Sequence, residues 1–358
     1  MPLVIDIAKS RNFVVKPNKR TSHVGAIPNI GGVNIFISFL LTVFLFSYSI
    51  ISQLQFTIIG VFIILIVGFV DDLIDIKVSW KLFGELASAF FLIVVADIRL
   101  SHLHGFLGIY ELSYITSYLL SFFVFIVIIN ALNLIDGVDG LASGLGILYC
   151  LFFAIYFRLT ERIDLSISAF AMAGSLIVFF IYNVFGGKRK IFMGDSGSLL
   201  LGYMLTLYVF EFCEMNAEPG LLKYHMNAAP AVAISVLSVP LFDTMRVMLT
   251  RIKKGVSPFR PDKNHIHHLL LKTGLKHRQV TFVLLSISLA FILLGIIARN
   301  WSIETLTLLV FSIATVLTYI LWRFVDKKRN SFLISFMKLN RRKSGSHYES
   351  LKNDDHNS

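Results

Sequence analysis

Ten apolar runs, near residues 30 to 50, 56 to 70, 80 to 98, 114 to 131, 140 to 158, 165 to 185, 198 to 212, 227 to 249, 280 to 298 and 302 to 323, constrain this chain more than anything else in it. Each is close to the roughly 20 residues that a helix needs to cross a bilayer, although the second and seventh are short unless their flanks join them. Inside hydrocarbon a backbone must satisfy its own hydrogen bonds, so spans of this length are helices. The predicted fold is therefore all-α, a polytopic integral membrane protein. Composition agrees, since 56% of the 358 residues are hydrophobic and 15% are charged, against about 25% charged in soluble domains. Cys150 and Cys213 lie in or beside apolar runs, where cysteine behaves as a small hydrophobe, and no disulfide framework is readable.

Ten spans put every second loop on the same side. Of the 33 basic residues, 28 fall on the side of the N-terminus and 5 on the other. Such a bias places both termini in the cytoplasm. It also accounts for the net charge of +11 without a nucleic-acid partner, which is excluded as the reason for it. The organisation follows: a cytoplasmic N-terminal segment 1–28, a membrane domain 29–325 carrying a cytoplasmic histidine-containing loop 250–279, and a basic tail 326–358 that reads as partly disordered and in contact with anionic headgroups.

The polar residues are unusual where they interrupt this pattern. Asn130-Ala-Leu-Asn-Leu-Ile-Asp-Gly-Val-Asp-Gly140 follows a hydrophobic run yet holds two amides, two carboxylates and two glycines. An acid at a membrane boundary is costly unless paired, hydrated or bound to a cation, and so marks a functional site. Asn130 and Asn133 are three apart, as are Asp136 and Asp139, so each pair shares a face if helical spacing holds. The competing reading is a capped helix end followed by a glycine-rich turn. Asp71 and Asp72 are adjacent like charges, which a hard cation such as magnesium would neutralise; a hydrated pair at the membrane surface is the alternative. Asp195 lies in Gly194-Asp-Ser-Gly197, a turn leading into the next span that would suit phosphate or serve as an ordinary cap.

The loop from Arg251 to Arg278 carries eight basic residues, Arg260 among them, with His265, His267 and His268. Zinc is the rival reading, but no cysteine completes a site, and adjacent His267 and His268 do not face one metal from a regular helix. Anion binding fits better, with Arg and Lys holding phosphates and histidines donating hydrogen bonds. All four polar clusters fall on the cytoplasmic side, which predicts one composite site. A hard cation held by acids, a basic phosphate clamp and a bilayer together suggest phosphoryl transfer between a soluble nucleotide and a lipid.

Four motifs carry a resemblance: Asp71-Asp72 with Lys81 downstream, Asn130 to Ala142, Phe192-Met-Gly-Asp-Ser-Gly-Ser198, and Pro261-Asp-Lys-Asn-His-Ile-His-His268. In this order they resemble the polyprenyl-phosphate N-acetylhexosamine-1-phosphate transferases of glycosyltransferase family 4, in particular the bacterial undecaprenyl-phosphate N-acetylglucosamine-1-phosphate transferases. The resemblance implies attack of undecaprenyl phosphate on the β-phosphorus of a UDP-N-acetylhexosamine, releasing UMP. By motif position, Asp195 and Asn133 are similar to magnesium ligands, with manganese as a substitute. Asp71 and Asp72 resemble the pair that positions or deprotonates the lipid phosphate, Lys81 a phosphate-binding lysine, and Asp139 a nucleoside contact. His265, His267 and His268 match the loop that grips pyrophosphate or sugar. Asp136 joins the catalytic candidates without an assigned role.

The family's relatives that transfer phospho-N-acetylmuramoyl-pentapeptide carry three consecutive histidines, which Ile266 interrupts here, so a simpler amino sugar is implied. The resemblance further implies the bacterial inner membrane, membrane lipid and a homodimer as surroundings and partners, and eleven spans where ten are visible. Leu3 to Arg11 reads as the cytoplasmic end of that additional helix. The rival from another class is an ion-coupled transporter, against which the acids sit at span ends and no inverted repeat is visible. A CDP-alcohol phosphotransferase is a third reading, but its Asp-Gly is followed by Ala-Arg, whereas Leu141-Ala142-Ser143 follows Gly140 here.

Overall fold

The computed structural model describes residues 2, 5–6, 14–15, 27–46, 48–218, 223–256 and 264–327. The helices α1 (Gly31–Phe46), α2 (Tyr48–Ile74), α3 (Val78–Phe90, continued by a π-helical turn Phe91–Val95), α4 (Tyr114–Ile135), α5 (Leu141–Leu159), α6 (Ile163–Phe185) and α7 (Gly194–Met215) form the first part of the bundle. After them come α8 (Ala229–Val236), α9 (Ser238–Lys253), the short α10 (Ile266–Lys272), α11 (His277–Ile297) and α12 (Ile303–Lys327). Eight of these are long and apolar enough to cross a membrane, a ninth arises if α8 and α9 make one span, and α1 is a shorter apolar helix. Each predicted run therefore meets a helix or helix pair, and the mainly helical, polytopic expectation holds.

The helix α7 is the axis of the bundle. It has the lowest mean hydropathy of the eight, 1.3, yet 94% of its most apolar window is buried, against 17% in α12. A helix surrounded by other helices needs less greasiness than one facing lipid, which must be apolar all round. Glycines let its neighbours approach. A Cβ on Gly68 of α2 would sit 2.5 Å from the Ser196 Cα, and one on Gly202 would sit 2.8 Å from the Ile129 Cα of α4.

Three local departures from the predicted pattern have physical causes. The predicted span 227–249 is broken by 81° between α8 and α9 at Leu237. Pro240 explains the position of the break, because a proline lacks the N–H that a continuous helix would need there but is tolerated in a first helical turn. The loop after α3 folds into an antiparallel hairpin, His102–Phe106 with Ile109–Glu111, an exception to the all-α expectation. Its turn residues Leu107 and Gly108 have φ of 52° and 80°, the primed turn that suits a tight hairpin. A second short pairing joins Val14–Val15 to Ile27–Pro28, after which the backbone runs beside the start of α7: Phe192 N–H donates to Pro28 O at 2.9 Å, and Gly31 and Gly32 donate to Phe192 and Met193.

Candidate active site

Helix α2 does not end where its apolar run ends. It continues through Asp71 and Asp72 to Ile74, because both carboxylates find partners. Asp72 Oδ1 accepts from the Asp195 N–H at 2.7 Å and from Asn29 Nδ2 at 2.9 Å, and its Oδ2 accepts from the Ser196 N–H at 3.0 Å and the Ser196 hydroxyl at 2.8 Å. Asp72 thus caps the first turn of α7 from another helix, in place of a side chain at the N-cap residue Met193. A carboxylate at this end also complements the positive end of the helix dipole. Gly194, at φ 72°, makes the approach possible, since a Cβ there would lie 2.5 Å from Asp72 Oδ2.

Asp71 turns the other way. Its Oδ2 accepts from Lys81 Nζ at 3.0 Å, and Ile76 N–H donates to its Oδ1 at 2.9 Å. The Lys81 ammonium also bonds Asp195 Oδ2 and lies 3.5 Å from Asn133 Oδ1, while Asn133 Nδ2 donates to Ser198 Oγ at 2.9 Å. Three oxygens from α2, α4 and α7 therefore converge on one cation borne by α3. One turn below Asn133, Asn130 donates to the buried Glu85 at 2.8 Å, so the two asparagines do share a face.

The two acids that follow do not share a helix face. Helix α4 ends at Ile135, so Asp136 and Asp139 lie in the turn beyond it and face different groups. Asp139 Oδ2 accepts from Lys190 Nζ at 2.6 Å, with His277 Nδ1 at 3.6 Å, and Lys190 also lies over the Phe192 ring. Desolvation pushes the Asp136 carboxyl well above the usual carboxylate range, with Asp195, Asp72 and Asp139 adding repulsion.

The histidines approach from the far side of that turn. His265 and His267 stack 5.8 Å apart and nearly parallel, and His267 meets His268 at 4.2 Å. His267 Nε2 would lie 2.7 Å from a Cβ at Gly137, so the glycine leaves room for the ring. Burial, with His268 next, pushes the His267 imidazole down to about 3, which makes it neutral at physiological pH and a donor through one nitrogen only. Arg260 lies outside the described residues.

The structure thus brings together Asp71, Asp72, Lys81, Asn133 and Asp195 in one hydrogen-bonded group, with Asp136, Asp139, His265, His267 and His268 around the neighbouring turn. Reading the sequence did not single out Asn29, Glu85, Lys190, Asp243 or Arg246. Glu85 and Asp243 were detectable in principle, since each is an acid inside an apolar run.

The sequence model of glycosyl transferase family 4 matches residues 54–212, which contain the Asp71, Asn133 and Asp195 clusters. The undecaprenyl-phosphate alpha-N-acetylglucosaminyl 1-phosphate transferase of Escherichia coli O157:H7 is 31% identical over 316 residues, covering 85% of this chain and 83% of the relative. The chain belongs to glycosyl transferase family 4. Proteins of the same description from Yersinia pestis, at 30% identity over 96% of this chain and 93% of the relative, and from Haemophilus influenzae, at 30% over 82% and 81%, agree. This family 4 member is accordingly a transferase with a multi-pass membrane architecture.

Proposed function

We propose that this family 4 protein transfers N-acetylglucosamine 1-phosphate from UDP-N-acetylglucosamine to undecaprenyl phosphate, releasing UMP and starting a lipid-linked envelope glycan. The observation that carries the reading is the convergence of Asp71, Asn133 and Asp195 on Lys81 at one end of the spans. In the reaction a lipid phosphate oxygen forms a bond to the β-phosphorus of the donor, and the bond from that phosphorus to the bridging oxygen breaks. UMP leaves with the bridging oxygen and its electron pair.

The chain's own groups divide this work. Lys81 neutralises phosphate charge, and Asp71 orients Lys81 and the incoming lipid phosphate. A general base contributes little, since a phosphate monoester with a second pKa near 6 is already ionised. Phe192, Lys190 and Asp139 form an aromatic and charged edge suited to a nucleoside, and the neutral His267 supplies one N–H to the pyrophosphate or sugar.

The residues present fit magnesium. Asn133 and Asp195 offer hard oxygens to a place where a cation already stands. Among the described residues no three His, Cys, Asp or Glu side chains are grouped for a metal, so phosphate oxygens and water would complete the sphere, as magnesium prefers. When bound, the ion supplies charge neutralisation on the pyrophosphate. The bias of basic residues supports a cytoplasmic site in a bacterial inner membrane, where the nucleotide is made.

The test is UMP release by the purified protein given undecaprenyl phosphate, magnesium and each of several UDP-N-acetylhexosamines in turn. UMP formed only when UDP-N-acetylglucosamine and the lipid are both present supports the reading. Absence of UMP with every donor overturns it, and product with another epimer alone replaces the sugar.

A further inference from the structure

Outside the motifs so far described, one buried acid is gripped more closely than helix packing requires. Asp243 lies in the first turns of α9, just beyond the 81° break, and is 3% exposed. Its Oδ1 accepts from Arg246 at 2.8 Å and from the Ile266 N–H at 2.9 Å, and its Oδ2 meets His265 Nδ1 at 3.0 Å. Arg246, one turn along the same helix, donates a further bond to the Asn264 carbonyl. Two side chains of α9 therefore hold three successive residues, Asn264, His265 and Ile266, by backbone and ring.

Burying a carboxylate to anchor a loop is expensive, and an apolar contact would serve stability as well. What the charged anchor adds is direction. A carboxylate against Nδ1 fixes the proton on that nitrogen and sets the plane of the His265 ring, leaving Nε2 turned away from Asp243. The His267 ring lies 7° from parallel to it, so the plane of one fixes the plane of the other, and His267 is the ring that reaches the Gly137 turn. The Ile266 N–H accepted by Asp243 Oδ1 belongs to the first residue of α10, so the start of the helix bearing His267 and His268 is fixed by the other oxygen of the same carboxylate.

We propose that Asp243 is a positioning residue of the donor site, which sets His265, and through it His267, over the turn that follows α4. The inference rests on the proposed donor reading of the histidine loop. It also gives the break at Leu237 a purpose, since it turns α9 away from the path of α8 and brings Asp243 to the loop.

The test uses the full-length protein in detergent, with UMP release measured while the UDP-sugar and undecaprenyl phosphate are varied separately. Asp243→Asn raises the KM for UDP-N-acetylglucosamine about tenfold, the size of one lost charge-assisted hydrogen bond, and leaves the lipid KM within about twofold. His265→Gln has the same selective effect, and the double variant is no worse than either single one, because the two act as a unit. An unchanged donor KM in Asp243→Asn overturns the proposal, as do additive effects in the double variant or a parallel shift of both KM values, which a general loosening would give. If Asp243→Asn does not accumulate as folded protein, His265→Gln decides, since it leaves Asp243 bonded to Arg246 and Ile266; a normal donor KM there is equally fatal. A wild-type protein that releases no UMP removes the donor reading itself, an outcome distinct from these.

Discussion

Asp72 and Asp195 are 123 residues apart in sequence, yet the carboxylate of the first accepts the backbone N–H of the second at 2.7 Å. The neighbouring aspartates 71 and 72 are thereby given different tasks, one facing Lys81 and the other holding the first turn of α7. With four donors on its two oxygens, Asp72 has little capacity left for a substrate. Asp72→Ala leaves the Asp195 and Ser196 N–H groups without their cap and costs about 1–2 kcal/mol of stability. Its signature is a raised magnesium requirement with an unchanged lipid KM, measured by metal titration of UMP release alongside thermal unfolding. A raised lipid KM with normal metal dependence would instead assign Asp72 to the lipid phosphate.

Asp195→Asn separates chemistry from folding. The Asn side chain keeps the size of Asp and Lys81 keeps Asp71, so the unfolding temperature changes little. Transfer falls by about a thousandfold if this carboxylate supplies charge stabilisation in the transition state, the size seen when one such group is removed. Near-normal turnover at limiting magnesium would exclude the ligand role.

The contact between α2 and α7 is tested at Gly68. A Cβ there meets the Ser196 Cα at 2.5 Å and the Ser196 N at 2.6 Å, and backbone cannot yield as a side-chain tip can. Gly68→Ala pushes the two helices apart, costs about 1–3 kcal/mol as overpacking does, and withdraws Asp72 from its cap. The expected result is a lower melting temperature together with the same raised magnesium requirement as Asp72→Ala. A stable protein with normal metal dependence would show that the cap does not depend on this close approach.

What could be read in the sequence divides along physical lines. Contact with lipid demands apolar residues, so each of the ten runs found its helix or helix pair, whereas polar helix ends were hidden. The second run reads as 56 to 70 because Asp71 and Asp72 end its apolar character, but tertiary partners carry the helix on to Ile74. The seventh reads as starting at 198 because Gly194 to Gly197 looks like a turn, but Asp72 caps it as helix from Gly194. Motif residues were legible as a group since their types match one chemistry. Asn29 and Arg246 were not, because the importance of each arises only from the element packed against it, and Lys190 is one of three consecutive basic residues, Lys188 to Lys190, that a positive-inside loop would carry in any case.

Acid sensitivity provides a test independent of catalysis. His104, in the hairpin after α3, has φ of 54° and a buried Nε2 without a partner. Burial, reinforced by His102 and His225, pushes its imidazole down to about 4, against an ordinary value near 6.5. Between these values the unfolded chain binds the proton and the folded chain does not, so stability is complete above about 6.5 and is lost as pH falls toward 4. His267, pushed down to about 3, acts with the same sign from the opposite end of the spans. His104→Asn removes one of the two contributions and suits the left-handed backbone, which asparagine tolerates well. The fall in melting temperature from pH 7.5 to pH 5 is therefore smaller in His104→Asn than in the wild type, and smaller again when His267→Asn is added. An equal fall in all three proteins would mean that neither histidine is held neutral by the fold.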